Sequence, residues 1–186
     1  MAVTKGQPWA AAEAAFEAGL PLAENRVQEA LPKLAALPAA EWHLIGHLQS
    51  NKIAKAAGRF ALIQSVDTVL TAERIARLST AQAVLVQVNI SGEASKHGCP
   101  PEATVDLCRR VGELLDLRGL MGIGPLDRDP APAFRLLASL RADAEQAVGR
   151  ALPVLSIGMS DDWEVALACG SSMLRLGRVL FGERSA

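Results

Sequence analysis

Eight short apolar runs alternate along this chain with longer segments of helical period, and that alternation limits the fold more than any single residue does. The runs are Ala2–Thr4, Pro21–Ala23, Trp42–Ile45, Ala61–Ser65, Val84–Asn89, Leu117–Ile123, Val154–Ile157 and Leu174–Leu176. Between the fifth and sixth, Leu107, Val111, Leu114 and Leu115 recur at helical spacing. Over Ala133–Val148, Leu137, Leu140, Ala144 and Val148 do the same. Asp67 and Ser160 stand where helix N-caps are expected. Strand–helix alternation implies parallel strands joined by right-handed crossovers. Eight repeats can close into an α/β (β/α)8 TIM-type barrel, predicted as one domain over residues 1–186. The alternative is an open doubly wound sheet, which usually opens on a G-x-G-x-x-G turn. None follows the first run here.

The barrel is short. Such folds typically run to about 250 residues, with 200 near the lower bound, and this chain has 186. No helix precedes the first run, and Gly177–Ala186 is too little for a full eighth helix. One helical slot is therefore expected to be empty, with apolar surface exposed between the first and last strands that favours dimerisation or aggregation; the expected state is a monomer or weak dimer.

Charge excludes some functions. Nineteen basic and 20 acidic residues nearly cancel, so no basic excess invites nucleic acid or an anionic membrane. Three cysteines (Cys99, Cys108 and Cys169) form no C-x-x-C pair, which argues against a disulfide framework or structural zinc and for a reducing, cytoplasmic setting. The start has no signal-peptide core, and no apolar run reaches a membrane span.

In barrels of this kind, chemistry gathers where strands end, and phosphate often binds after strands seven and eight. The first run ends in Lys5, the second in Glu24-Asn25 and the third in Gly46-His47. The seventh passes into Gly158-Met159-Ser160, and the eighth carries Arg175 and then Gly177-Arg178. A lysine at a strand mouth is either a solvated side chain or an amine for Schiff-base chemistry. Gly158-Met159-Ser160, read as the opening of a helix, and Gly177 offer backbone N–H groups and a hydroxyl to an anion. Asp161 and Asp162 would repel phosphate unless they turn away as helix-capping groups. An amine facing an anion cradle suits pyridoxal phosphate, and it also suits an aldolase acting on a phosphorylated sugar. His47 either lines the pocket or faces solvent.

The residues also resemble a known family. Ala2-Val3-Thr4-Lys5, Glu24-Asn25-Arg26-Val27-Gln28-Glu29, Trp42–Lys52 (W-H-L-I-G-H-L-Q-S-N-K), Val88-Asn89-Ile90-Ser91 with Glu93, Lys96 and Gly98, and Leu117–Met121 are similar to successive signatures of the pyridoxal phosphate homeostasis proteins. Leu155–Ser160, Gly170-Ser171-Ser172, Arg175, Gly177 and Phe181-Gly182 complete the match. The resemblance implies the fold of the alanine racemase N-terminal domain and pyridoxal 5'-phosphate as cofactor. It implies Lys5 as the Schiff-base lysine and Asn25 as a side chain lining the pocket. Ser160 and Gly177 become phosphate contacts, and Arg175 faces the pyridine nitrogen. Arg178 stands where the family has a threonine beside the phosphate; its backbone N–H remains and its guanidinium can replace the hydroxyl. Ala23 replaces a usual glycine, and the family's first helix precedes the Lys5 strand. Ser171 and Ser172 fall on the opposite barrel face and read as turn residues.

The resemblance further implies a carrier that holds cofactor and passes it to acceptor enzymes. The alternative is a fold-type III racemase or lyase. Two-base racemisation on this scaffold needs a tyrosine opposite the lysine, and the chain has no tyrosine. A cation near the ring nitrogen also disfavours its protonation, which weakens the ring as an electron sink.

Overall fold

Seven of the eight apolar runs are strands, each within one residue of the expected bounds: β1 (Ala2–Val3), β2 (Leu22–Glu24), β3 (Trp42–Leu44), β4 (Leu62–Val66), β5 (Ala83–Val88), β6 (Asp116–Gly122) and β7 (Val154–Ser156). The computed structural model describes residues 1–182, so residues 183–186 at the end of the expected tail lie outside it. The strands pair in sequence order, every neighbour parallel. The eighth run differs from expectation. It forms isolated bridges rather than a continuous strand, Met173 to Ser156 on one side and Leu176 to Ala2 on the other. Arg175 N–H donates to Gly158 O at 2.9 Å, and Val3 N–H donates to Leu176 O at 2.8 Å. These bonds close the ring. The segment is only a few residues long before the chain leaves at Gly177, too short for a ladder on both edges.

The helices cover the outside: α1 (Trp9–Glu17), α2 (Val27–Ala36), α3 (Ile53–Ala56), α4 (Val69–Ala76), α5 (Thr104–Leu114), α6 (Ala131–Val148), α7 (Trp163–Ala168) and α8 (Arg178–Phe181). The predicted stripes are the buried ones, with Leu107 and Val111 on α5 and Leu137 and Ala144 on α6 packed against the sheet. Strand side chains alternate between this outer core and the barrel interior. A smaller cluster of Leu62, Leu85 and Met121, with Val154 and Met173 against it, fills the interior.

Two cap assignments are corrected. Thr68, not Asp67, caps α4, its Oγ1 accepting from Thr71 N–H at 3.2 Å. Ser160 caps no helix, because α7 starts only at Trp163. Past the eighth run, Val179 and Leu180 on α8 are 53% and 42% exposed, on the side where uncovered apolar surface was expected. No described helix is long and apolar enough to cross a membrane.

Candidate functional site

Inward alternation carries the chemistry to one place. Val3 lies inside the barrel and Thr4 turns outward, so Lys5 falls on the inner side at the mouth. A cavity of about 250 Å³ opens there, lined by Lys5, Ile45, Met159, Ser160, Arg175, Gly177 and Arg178 among others. Five of the six expected site residues thus share one cavity. Asn25 does not line it. It lines an adjacent pocket that also reaches Lys5, together with Gly6, Arg26 and Glu29.

The residue before Lys5 is anchored. Thr4 points into the helix layer, where its Oγ1 donates to Glu24 Oε1 at 2.6 Å. Lys33 of α2 reaches the same carboxylate oxygen at 2.6 Å and Thr4 O at 2.9 Å. This buried clamp ties the ends of β1 and β2 to α2 directly below the amine.

Arg175 is buried, and three of its five N–H donors have protein acceptors. Nη1 donates to Ser156 O and to Ser156 Oγ, both at 2.7 Å, and Nη2 donates to Gly122 O at 2.8 Å. None of these acceptors is a carboxylate. Burial pushes the guanidinium down to about 10, with the charge of Asp162 opposing the shift, so the side chain stays cationic at neutral pH.

Behind Arg175 lies a polar chain that the sequence reading missed. Ser156 Oγ donates to Gln64 Oε1 at 2.7 Å, and Gln64 Nε2 donates to His43 Nδ1 at 3.1 Å. His43 Nδ1 is therefore an acceptor, which puts the proton on Nε2, and Nε2 donates to Glu41 Oε1 at 2.8 Å. The donors run in one direction, from a buried cation to an exposed carboxylate, across the barrel interior. The available signal was a polar side chain at inward positions of otherwise apolar strands, namely His43, Gln64 and Ser156.

The anion end is more occupied than expected. Asp162 stands at the N-cap position of α7 but its side chain makes no capping bond there; its Oδ1 accepts from Met159 N–H at 2.6 Å, taking one of the donors offered to a phosphate. Asp161 does not turn away. It lines the cavity and pairs with Arg178. Ser160 Oγ accepts from Val179 N–H at 3.3 Å, linking the loop after β7 to α8. Ser171 and Ser172 serve the backbone around β7, with Ser171 Oγ donating to Ile157 O at 2.7 Å and Ser172 Oγ to Pro153 O at 3.0 Å. His47 is exposed and lines a separate pocket with His97.

Comparison with known proteins agrees with this fold. The family model of the alanine racemase N-terminal domain matches residues 1–185. A pyridoxal phosphate homeostasis protein of Pseudomonas aeruginosa is 42% identical, over 99% of this chain and 84% of the relative. That of Aquifex aeolicus is 42% identical, over 87% of this chain and 75% of its own. PipY of Synechococcus elongatus, solved with pyridoxal phosphate bound, superposes with a TM-score of 0.86 at 35% identity, covering 98% of this chain and 91% of PipY. An alanine racemase of Clostridium difficile shares the fold at a TM-score of 0.80 and 15% identity, this chain matching 52% of its length. The chain belongs to the pyridoxal phosphate homeostasis protein family, built on the alanine racemase N-terminal type of barrel.

Proposed function

We propose that the chain binds pyridoxal 5'-phosphate covalently through Lys5 and acts in cofactor homeostasis, passing cofactor to acceptor enzymes rather than racemising amino acids. The observation that carries this reading is the shared cavity. An amine at the β1 mouth shares one small volume with a buried guanidinium that donates to neutral oxygens and with a rim of Ser160, Gly177 and Arg178, where Asp161 pairs with Arg178. The residues fit the group. When bound, the cofactor supplies an aldehyde carbon that takes an amine and a ring that accepts electron density.

Each side chain has a defined task. Lys5 offers the amine. Arg175, fixed by Ser156 and Gly122, sets a positive charge where the ring nitrogen would lie and disfavours its protonation. Ser160, Gly177 and Arg178 meet the phosphate, and Asn25 borders Lys5 from the adjacent pocket. Asp161 competes with the phosphate for Arg178. Binding then exchanges one ion pair for another, which suits a carrier that must release its cargo.

Absorbance of the loaded protein tests binding, and incubation with L- and D-alanine tests the role. A yellow protein that leaves both enantiomers unchanged is expected. Racemisation abolished by Lys5→Ala would overturn the carrier reading. Ser160→Ala should weaken cofactor retention by about 1–3 kcal/mol, the scale of a hydrogen bond to a charged group. Unchanged affinity by equilibrium dialysis would remove Ser160 from the phosphate site.

A further inference from the structure

We infer that His47, Asp67 and His97 form a binding site for a divalent transition-metal ion, Zn²⁺ foremost, at the barrel mouth beside the cofactor cavity. One ligand atom from each of the three lies within 4.8 Å of the other two. The two imidazole rings stack with centroids 4.0 Å apart and planes 8° from parallel, and His47 Nδ1 is 3.6 Å from Asp67 Oδ2. None of the three lines the cavity shared by Lys5 and Arg175.

The backbone presents these side chains together. They follow three consecutive strands, β3, β4 and β5, at the ends where a barrel collects its functional groups. His47 follows Gly46, where a Cβ would lie 1.9 Å from Asn25 O, so only glycine lets the loop pass this close. Asp67 is the half-buried residue between β4 and the cap of α4. His97 rides on a loop pinned from within. Its carbonyl accepts from Gln87 Nε2 at 3.1 Å, and Asn89 Nδ2 donates to Glu93 O at 2.9 Å and Lys96 O at 3.2 Å. The next residue, Gly98, has φ +126 and no room for a Cβ against Asn89 N.

Two imidazoles and one carboxylate make a ligand set suited to zinc, with a fourth position left open to water or an anion. Metal–ligand distances of about 2.0–2.1 Å put tetrahedral ligand atoms about 3.3 Å apart. The cluster therefore closes by an ångström or so as the exposed rings rotate out of their stack. Charge around the site permits this. Arg26, in the same pocket, pairs with Glu29 at 2.9 Å, while Lys52 opposes the ion and Asp67 favours it.

The chain has three histidines, so ring-nitrogen NMR of histidine-labelled, cofactor-loaded protein reads each one. Zinc chloride should shift His47 and His97 at one equivalent and leave buried His43 in place, while magnesium shifts none. His47→Asn, His97→Asn and Asp67→Asn should each weaken the response about tenfold or more. Acidification should abolish it, because coordinating imidazoles must be unprotonated. Unmoved His47 and His97 signals at millimolar zinc would overturn the inference, as would zinc binding that ignores all three substitutions and disappears on Cys169→Ser.

Discussion

Ser156 Oγ accepts a hydrogen bond from Arg175 Nη1 at 2.7 Å, and this contact joins the cavity lined by Lys5 and Arg175 to the polar interior of the barrel. The same hydroxyl donates to Gln64 Oε1, so Ser156 couples a buried cation to a buried amide. Its position is set by β7, whose next inward neighbour across the closing bridge is Met173.

Ser156→Ala should cost about 1–3 kcal/mol of stability, because it leaves Gln64 Oε1 without its donor and takes an acceptor from a charged group. Urea unfolding of the cofactor-free protein measures this. An unchanged midpoint would mean that the chain through the barrel carries no energy.

The clamp below Lys5 makes a sharper case. Lys33→Met strands the buried Glu24 carboxylate, whose Oε2 has no hydrogen-bond partner among the described residues, and should cost about 3–5 kcal/mol. Adding Glu24→Gln should restore much of that loss, since the uncompensated charge is then gone. Equal destabilisation in the single and double variants would show that charge is not the issue.

Stability should also fall in mild acid. Burial lowers the His43 proton affinity, against the opposing pull of Glu41. Below the ordinary histidine value of 6.5 the unfolded chain takes up a proton that the folded chain refuses. The stabilisation is therefore complete above that value and is lost as pH falls toward the lower folded value, by at most about 1.4 kcal/mol per pH unit. His43→Gln should flatten the difference between unfolding midpoints at mildly acidic and neutral pH. An unaltered pH dependence would assign it to other groups.

These tests fall mainly on residues that periodicity could not single out. Strand periodicity located β1 through β7 and the stripes on α5 and α6, because burial against a helix layer leaves an apolar signature in sequence. It also put Lys5, Ser160, Arg175, Gly177 and Arg178 at strand ends, and these share a cavity. Asn25 fell one pocket away. Interior polar groups leave a weaker trace. Gln64 sits between Ile63 and Ser65 with nothing nearby to name its partners, which come from β3, β7, Met1 and Met173. Asp67 read as a helix cap for the same reason: its neighbour His47 is 20 residues away in sequence and 3.6 Å away in space. Asp161 and Asp162 read as capping groups because the sequence places the helix start right after Ser160; α7 starts two residues later, at Trp163.

Covalent attachment at residue 5 is the claim on which the proposed role depends. Borohydride treatment of the pyridoxal phosphate-loaded protein, followed by proteolysis and mass spectrometry, tests it most directly. The account predicts a phosphopyridoxyl group on the peptide containing Lys5 and none elsewhere. Modification of Lys33, Lys52 or Lys96 with Lys5 left bare would contradict it.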